Sequence, residues 1–307
     1  MENETGTQRV GIIGLGNMGG RVAQRIYEQG LPIIGYDRDV ASSSRWDLPA
    51  MASVRELVEQ SDVVLLSLPN SAVIEAVIFD TDGVLDSVRQ GQTVVDLSTA
   101  SPTSSRKISE ALASKGVDFV DGGLTGGVDS AATGTMTVMV GGDEAVIERM
   151  RPVLAAFSVA VHRMGPSGSG HVAKVFTNFL NGVALAATSE VMVAAKLANL
   201  DLEALLEVFN HGSAINWATR ERFPQIIRGD YMKGGLSVDL MIKDVGLYID
   251  VTRDLKAPTL MAGPCYSSFQ LASTLGYGSV ISNHVVDAIG DIAGGVRVQI
   301  ENQEPAA

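Results

Sequence analysis

The chain has 307 residues, long enough for two domains that each have a core of their own. A hydrophobic content of 46% excludes disorder for most of the chain, and a net charge of -12 argues against nucleic acid as a partner, because phosphate binding needs clustered lysine and arginine. With one cysteine, Cys265, the chain cannot form an internal disulfide, so we expect a cytoplasmic protein.

Membrane spans and metal sites are not expected. The first residues lack the basic-then-apolar order of a signal segment, and the apolar stretch 183–200 contains Glu190 and Lys196. The 4 histidines and the cysteine show no metal-ligand spacing, so no metal ion is predicted.

The first apolar run, from Arg9 to Ile13, ends in the glycine-rich turn GLGNMG, and a segment with helical spacing follows. This order is typical of dinucleotide binding: Gly14 makes the tight turn, Gly16 lets the backbone approach a pyrophosphate, and Gly19 lets the helix pack closely on the strand. A glycine-rich turn in an unrelated α/β protein is the alternative. The predicted cofactor contacts are Gly14, Leu15, Gly16, Asn17, Met18 and Gly19.

The next apolar run, Leu31 to Tyr36, ends in Asp37, at the distance where an acidic residue binds the adenosine ribose. Arg38 follows directly and could instead hold the 2′-phosphate of NADP, or lie solvated in a loop. Because the Asp37 carboxylate would repel that phosphate, we predict NAD as the cofactor, with NADP as the alternative.

Short apolar segments then alternate with helical ones, a pattern typical of an α/β fold with a mostly parallel, doubly wound sheet of the Rossmann type. Strands are predicted at 63–68, 93–97, 117–120, 136–140 and 159–162, and helices at 54–60, 71–79, 103–115 and 144–157. Ligands bind at the carboxyl ends of such strands. The residues therefore predicted to line the cofactor cleft are Leu68, Pro69, Asn70, Ser98 and Thr99.

From residue 167 onwards the pattern predicts helices only, so we expect an all-α C-terminal domain. The glycine-rich segment 165–170 marks the junction, which gives a dinucleotide-binding domain at 1–166 and a helical substrate and oligomerisation domain at 167–307. Helices are predicted at 171–200, 202–210, 218–227, 238–253, 258–274 and 283–292, and the last residues, ENQEPAA, are expected to fray.

Lys174 and Asn178 lie four residues apart in the first of these helices and therefore share one face. An ammonium group and an amide on an otherwise apolar helix suit a proton donor for a substrate oxygen and a group that orients it, since burying an ammonium without a partner is costly. A position just past the junction favours this interpretation, because clefts between domains are preferred ligand sites. A surface lysine beside a polar neighbour is the alternative.

A second glycine cluster, DGGLTGG at 121–127, precedes GTMTVMVGG and could hold an anion on its N–H groups and the Thr125 hydroxyl, although alone it would be read as a flexible loop. Together the motifs resemble the β-hydroxyacid dehydrogenases, the family that includes 3-hydroxyisobutyrate dehydrogenase and tartronate semialdehyde reductase. The resemblance runs from Val10 to Ile292. It rests on GLGNMG, LPNS at 68–71, DLST at 96–99, the second glycine cluster with GTMTVMVGG, GSGHVAKVFTN at 168–178 and the pair Lys243-Asp244.

The resemblance implies roles for the matching residues. The segment Thr125, Gly126 and Gly127 matches the Ser-Gly-Gly that anchors substrate in the family, Lys174 matches the catalytic lysine, and Asn178 matches the asparagine that holds substrate.

Further positions match residues around the nicotinamide and the substrate. Thr99 and Lys243 match residues that line this region, and Asp244 is expected to support them. Trp217 resembles a tryptophan of the 3-hydroxyisobutyrate and serine dehydrogenase-like members, with core or interface packing as the alternative.

Three departures from the family pattern bear on substrate identity. Gly122-Gly123-Leu124 replaces Ala-Pro-Val, which we expect to loosen that loop; Thr177 replaces an asparagine; and Leu236 replaces an aromatic residue. The first and last of these changes are expected to enlarge the substrate pocket.

The resemblance implies an NAD(P)-dependent enzyme, a homodimer or homotetramer, that interconverts a small β-hydroxyacid and its semialdehyde without a metal. Lys174 would be the general acid–base, with a pKa brought toward neutrality by burial between domains. The alternatives are an imine reductase-like enzyme and a non-catalytic nucleotide-binding scaffold, which resemble proteins that lack the lysine, so Lys174 argues against both. A methyltransferase could use the same first glycine-rich turn, but the second half of the chain does not support that alternative.

Overall fold

The computed structural model describes residues 8–232 and 235–300, so the tail predicted to fray lies outside the described residues. The chain divides into two compact units, Met1–Lys174 and Val175–Ala307. The predicted domain boundary after residue 166 precedes this division and stays a prediction.

The first unit contains one seven-stranded sheet with the order β2-β1-β3-β4-β5-β6-β7. Neighbouring strands are parallel except for the antiparallel pair β5 and β6. The strands are β1 (Val10–Ile13), β2 (Ile33–Tyr36), β3 (Val63–Leu66), β4 (Thr93–Asp96), β5 (Asp118–Thr125), β6 (Met136–Gly141) and β7 (Ser158–Gly165). This mostly parallel sheet confirms the predicted α/β fold of the N-terminal half.

Helices cover both faces of the sheet, which is why the central strands are continuously apolar. Side chains alternate along β3: Val63 and Leu65 enter one core cluster, whereas Val64 and Leu66 enter another. The helices of this unit are α1 (Gly19–Glu28), α2 (Val40–Ser44), α3 (Val54–Glu59), α4 (Ser71–Phe79), α5 (Val84–Ser87), α6 (Pro102–Ala113), α7 (Gly127–Thr133), α8 (Glu144–Ala155) and the start of α9 (Ser169–Leu197).

The strand β5 corrects the expectation for the second glycine cluster. The glycines of this cluster were expected to lie in a loop. Gly122 and Gly123 instead lie inside β5 and pair with Val140 and Met139 of β6. A Cβ atom on Gly123 would stand 2.4 Å from the Cβ of Lys174. These glycines therefore allow a close approach of backbone and helix, and the expectation that they loosen a loop was wrong.

All elements of regular secondary structure in the described residues 175–232 and 235–300 of the second unit are helices, which confirms the all-α prediction. Large side chains fill its core, among them Phe223, Phe269 and Met241. Its elements after α9 are α10 (Leu202–His211), a π-helix (Ala218–Arg222), α11 (Phe223–Ile226), α12 (Val238–Asp254), α13 (Ala262–Ala272), a second π-helix (Ser273–Tyr277), a 3₁₀ turn (Ser282–His284) and α14 (Val285–Ile292).

One described helix, α9 with 29 residues, is long and apolar enough to cross a membrane by length and composition alone. Core helices of soluble proteins meet the same criterion, so this property does not distinguish a membrane span from a helix in a protein core.

Candidate active site

The glycine-rich turn after β1 has the geometry of a dinucleotide cradle. Gly14 has φ +99°, and a Cβ atom there would lie 2.2 Å from the Ser67 carbonyl oxygen. A Cβ atom on Gly19 would lie 2.0 Å from the Gly14 oxygen, so α1 can approach the strand only without a side chain. The space in front of Gly16 is open to 4 Å, and α1 begins directly after the turn. These residues fit a pyrophosphate at a helix N-terminus.

Asp37 holds this turn from the end of β2. Its Oδ2 accepts a hydrogen bond from the Leu15 N–H at 2.8 Å, and its Oδ1 accepts one from Asp39 at 2.9 Å. A cavity of about 370 Å³ opens beside Asp37, and Arg38 also lines it. The predicted position of the adenosine ribose therefore lies next to a concave surface.

Trp46 is a second support of the turn that the sequence analysis missed. Its indole Nε1–H donates to the Leu15 carbonyl oxygen at 2.8 Å, and its ring occupies the space in which a side chain on Gly20 would lie. The guanidinium of Arg45 lies 5.4 Å from the ring centroid and donates to Asn17 Oδ1 at 3.3 Å. No pattern marks this tryptophan, because its partners are about thirty residues earlier in the chain.

The carboxyl ends of the central strands meet at one edge of the sheet, since Ile13, Leu66, Asp96 and Asp121 are partners in register across β1, β3, β4 and β5. The predicted cleft residues follow these ends. The Leu68 N–H donates to Ser98 Oγ at 2.9 Å, and Asn70 caps α4 through Val73. Pro69 is exposed and Thr99 is half-buried at this edge. The structure thus brings the glycine turn, 68–70 and Thr99 to the same edge of the first unit.

Asp96 fixes the turn that carries Ser98. It is fully buried, and its Oδ1 accepts the Ser98 N–H at 3.0 Å. Burial raises the pKa of its carboxyl above the ordinary value of 3.8, an effect that His171 and Ser98 oppose. Burial therefore favours the neutral form of this carboxyl.

A buried carboxylate caps the helix that carries Lys174. Asp121 Oδ1 accepts the Gly168 N–H at 2.6 Å and Oδ2 accepts the His171 N–H at 2.8 Å, which satisfies donors of the first turn of α9. The His171 ring is also buried, with Nδ1 at 2.7 Å from Ser105 Oγ and Nε2 at 3.2 Å from the Asp96 carbonyl oxygen. Both residues stand in the sequence motifs, but only the fold shows that they fix this helix.

Lys174 and the Thr125 segment both lie in the first unit. Lys174 is half-buried, and its Cβ lies over Gly123 of β5. Thr125 ends β5, and Gly126 and Gly127 follow with φ of +127° and +82° and are exposed. Positive φ is a conformation that glycine adopts readily, so the segment turns sharply and leaves its N–H groups accessible.

In the second unit, Asn178 belongs to a buried polar group. Only 7% of Asn178 is exposed, and its Nδ2–H donates to Asp244 Oδ2. Asp244 is fully buried and pairs through Oδ1 with the Lys243 ammonium at 3.1 Å. The structure therefore joins Asn178 to the Lys243-Asp244 pair through the Asp244 carboxylate, and the roles of these residues toward a substrate stay predictions.

Trp217 and Leu236 make other contacts in the second unit. Trp217 is 52% exposed and lies under the guanidinium of Arg220 at 5.6 Å. Leu236 packs against the core of the second unit, and its carbonyl accepts the Ser282 N–H. Thr177 is half-buried on α9. The substrate roles of these residues stay predictions.

Comparison with known protein families covers most of the chain. Residues 9–165 match the model of the NAD-binding domain of 6-phosphogluconate dehydrogenase. Residues 168–286 match the model of the NAD-binding region of NADP-dependent 3-hydroxyisobutyrate dehydrogenase.

Several characterised proteins are similar over nearly their full length. The chain is 30% identical to 2-(hydroxymethyl)glutarate dehydrogenase of Eubacterium barkeri, covering 88% of this chain and 91% of that protein. It is 33% identical to the NAD-dependent L-serine dehydrogenase of Pseudomonas aeruginosa, covering 88% and 94% respectively. The structure of 3-hydroxyisobutyrate dehydrogenase of Mycobacterium tuberculosis with L-serine superposes with a TM-score of 0.83 at 27% identity, covering 92% and 98%.

An imine reductase from a Pseudomonas species also superposes, with a TM-score of 0.61 at 18% identity, which shows a shared fold alone. The two family models and the relatives above confirm the resemblance found in the sequence motifs. The chain therefore belongs to the β-hydroxyacid dehydrogenase family and is an NAD(P)-dependent dehydrogenase that acts on the CH–OH group of small hydroxyacids.

Proposed function

We propose that the enzyme interconverts a small β-hydroxyacid and its semialdehyde, with Lys174 as the general acid–base. The contact of the Lys174 Cβ with Gly123 carries this proposal, because it holds the base of the side chain against the strand that leads into Thr125–Gly127. The Asp121 carboxylate fixes the same helix one turn earlier. A general acid–base must first be held within hydrogen-bond reach of the proton that it transfers, and only then does its pKa affect the rate.

Each proposed role uses a group whose chemistry suits it. The hydroxyl of Thr125 and the N–H groups of Gly126 and Gly127 hold the substrate carboxylate. Lys174 takes the hydroxyl proton in oxidation and returns it to the aldehyde oxygen in reduction. Asn178, oriented by Asp244, holds the hydroxyl or carbonyl oxygen. A nicotinamide dinucleotide, held by the turn 14–19 and Asp37, would supply hydride transfer to and from the carbon that carries the hydroxyl.

The names of the relatives described above give their substrates as 2-(hydroxymethyl)glutarate, L-serine and 3-hydroxyisobutyrate. In each of these compounds a carboxylate and a CH₂OH group are attached to the same carbon. We therefore propose substrates with that arrangement, such as three- or four-carbon β-hydroxyacids. The imine reductase alternative remains less supported, because Lys174 is present and the similarity to such an enzyme is limited to the fold.

Two measurements on the purified enzyme test the mechanism together. Lys174→Ala should lose nearly all turnover, about 10²-fold or more, while a fluorescence titration still shows NADH binding. The control Lys196→Ala, a lysine of the same helix that donates to the Gln299 carbonyl, should keep turnover. Near-normal turnover by Lys174→Ala would refute the role of the lysine.

The same assay compares a β-hydroxyacid with the alcohol that lacks its carboxylate. The alcohol should show a kcat/KM lower by about 10²-fold, since the missing carboxylate leaves the polar groups of 125–127 without their partner. Equal kcat/KM values would mean that 125–127 is not an anion site.

We further propose NAD as the preferred cofactor, a homo-oligomer, and a cytoplasmic location. Asp37 supports the first proposal, since its carboxylate lies beside the cavity after β2. Phe176, Leu180 and Val191, which form an exposed apolar stripe on α9, support the homo-oligomer. The single cysteine, buried in the second unit, supports a reducing compartment.

A further inference from the structure

Arg222 is a partly buried arginine whose polar partners are all neutral. Its Nη1 donates to Asn283 Oδ1 at 2.6 Å and lies 3.4 Å from Ser282 Oγ, and its Nη2 donates to Asn181 Oδ1 at 3.3 Å. Among residues 8–232 and 235–300, no carboxylate lies within ion-pair distance of its guanidinium. A cation withdrawn from water normally needs a counter-charge.

Neighbouring arginines show the contrast. Arg220 pairs with Glu221 at 2.8 Å, and Arg228 pairs with Glu203 at 3.2 Å. Both are largely exposed, whereas desolvation lowers the pKa of Arg222 to about 10. Arg222 is still charged near neutral pH, so the second unit holds a desolvated positive charge that the described protein does not neutralise.

The hydrogen bonds fix the guanidinium and leave part of it available. A guanidinium has about five N–H donors in a planar fork. Nη1 makes two of the three contacts and Nη2 makes one, so Nε–H and one Nη2–H have no protein acceptor among the described residues. Two adjacent N–H groups on one edge of the fork match the two oxygens of a carboxylate.

The position of Asn181 relates this charge to the proposed substrate-binding residues. Asn181 follows Asn178 by three positions on α9, so both amides project from the same face of the helix. Asn178 is tied to Asp244 and Lys243, and Asn181 is tied to Arg222. One face of α9 in the second unit therefore carries the proposed substrate amide and, one turn on, the amide that holds the guanidinium.

We propose that Arg222, held by Asn181 and Asn283, binds a second carboxylate of the substrate, so that the enzyme prefers β-hydroxyacids that are dicarboxylates. This inference rests on the proposed function, because it adds a binding group to that reaction. The Arg222 side chain sets substrate preference and takes no part in proton transfer.

A matched pair of substrates tests the inference in the full-length enzyme. 2-(Hydroxymethyl)butanedioate and 2-(hydroxymethyl)butanoate have the same reacting end and differ in one terminal carboxylate. The wild type should favour the diacid in kcat/KM by about tenfold to a hundredfold, as expected for charge-assisted hydrogen bonds. Arg222→Met should bring the ratio of the two kcat/KM values to near one, and the matched control Arg228→Met should keep it.

Arg222→Lys provides a variant that keeps the charge if Arg222→Met does not fold. It should retain part of the preference, since an ammonium cannot make the bidentate contact. Equal kcat/KM values for the two acids in the wild type would overturn the inference, as would an Arg222→Met variant that lowers both values alike. Failure of the proposed function would differ: the wild type would turn over neither acid.

Discussion

At the scale of single residues, Asp37 combines two tasks that the sequence pattern does not separate. Its carboxylate accepts the Leu15 and Asp39 N–H groups and also borders the cavity where the adenosine ribose is predicted. A 2′-phosphate would meet this negative charge, which is the physical reason for the proposed preference for NAD.

Exchange of Asp37 for Ser should raise the ratio of kcat/KM with NADP to kcat/KM with NAD by about tenfold, since the repulsion is lost while Arg38 remains. Affinity for both cofactors should also fall, because the Leu15 N–H loses its carboxylate acceptor. Steady-state kinetics with both cofactors measures the ratio. Asp39→Ser is the control, since Asp39 caps α2 through Ala41 and serine can still cap. A wild type that prefers NADP would contradict the proposal and indicate that Arg38 decides.

At the scale of elements, the first turn of α9 depends on Asp121. Both oxygens accept backbone N–H groups, and the N-terminus of a helix favours a negative charge. An amide at this position can accept only one of the two bonds and turns a donor toward the other N–H. The start of α9, and with it Lys174, should then shift.

Asp121→Asn should therefore destabilise the protein by about 1–3 kcal/mol and lower kcat more than it changes the KM for NADH. Thermal unfolding and steady-state kinetics measure the two effects. Asp118→Asn is the matched control on β5, because the side chain of Asp118 is 43% exposed and its ion pair with Arg149 contributes little. If both variants had the same Tm and kcat, Asp121 would not position the helix.

At the scale of the whole molecule, the apolar stripe on α9 bears on assembly. Phe176, Leu180 and Val191 fall on one side of the helix and are exposed by 36%, 68% and 46% respectively. Contiguous exposed apolar surface of this kind marks an interaction site. A second copy of the chain is the partner that the proposed homo-oligomer requires.

Leu180→Glu should dissociate the oligomer, because burying an unpaired carboxylate in an interface is costly. Light scattering coupled to gel filtration should then give a mass near 32.3 kDa for the variant and a multiple of it for the wild type. The control Val208→Glu, at an exposed apolar position of α10, should keep the wild-type mass. A wild type that elutes as a monomer would refute the proposed assembly.

The sequence by itself determined the features that depend on neighbours along the chain. GLGNMG between an apolar run and a helical one predicts the cradle, because only glycine tolerates the approach of Ser67 and Gly14. The alternation of segments predicts a parallel sheet in the first half and helices in the second, and the structure confirms both.

The tertiary structure decided what depends on residues far apart in the chain. Glycine is a poor strand former, so Gly122 and Gly123 were expected in a loop, yet pairing with β6 and the approach of Lys174 place them in β5. Asp121 accepts the N–H of Gly168, 47 residues later and just before α9, and no local pattern encodes that contact. Likewise, the charge of Arg222 is evident from the sequence, but its desolvation and its neutral partners arise only when α9 and the turn before α14 meet it in the fold.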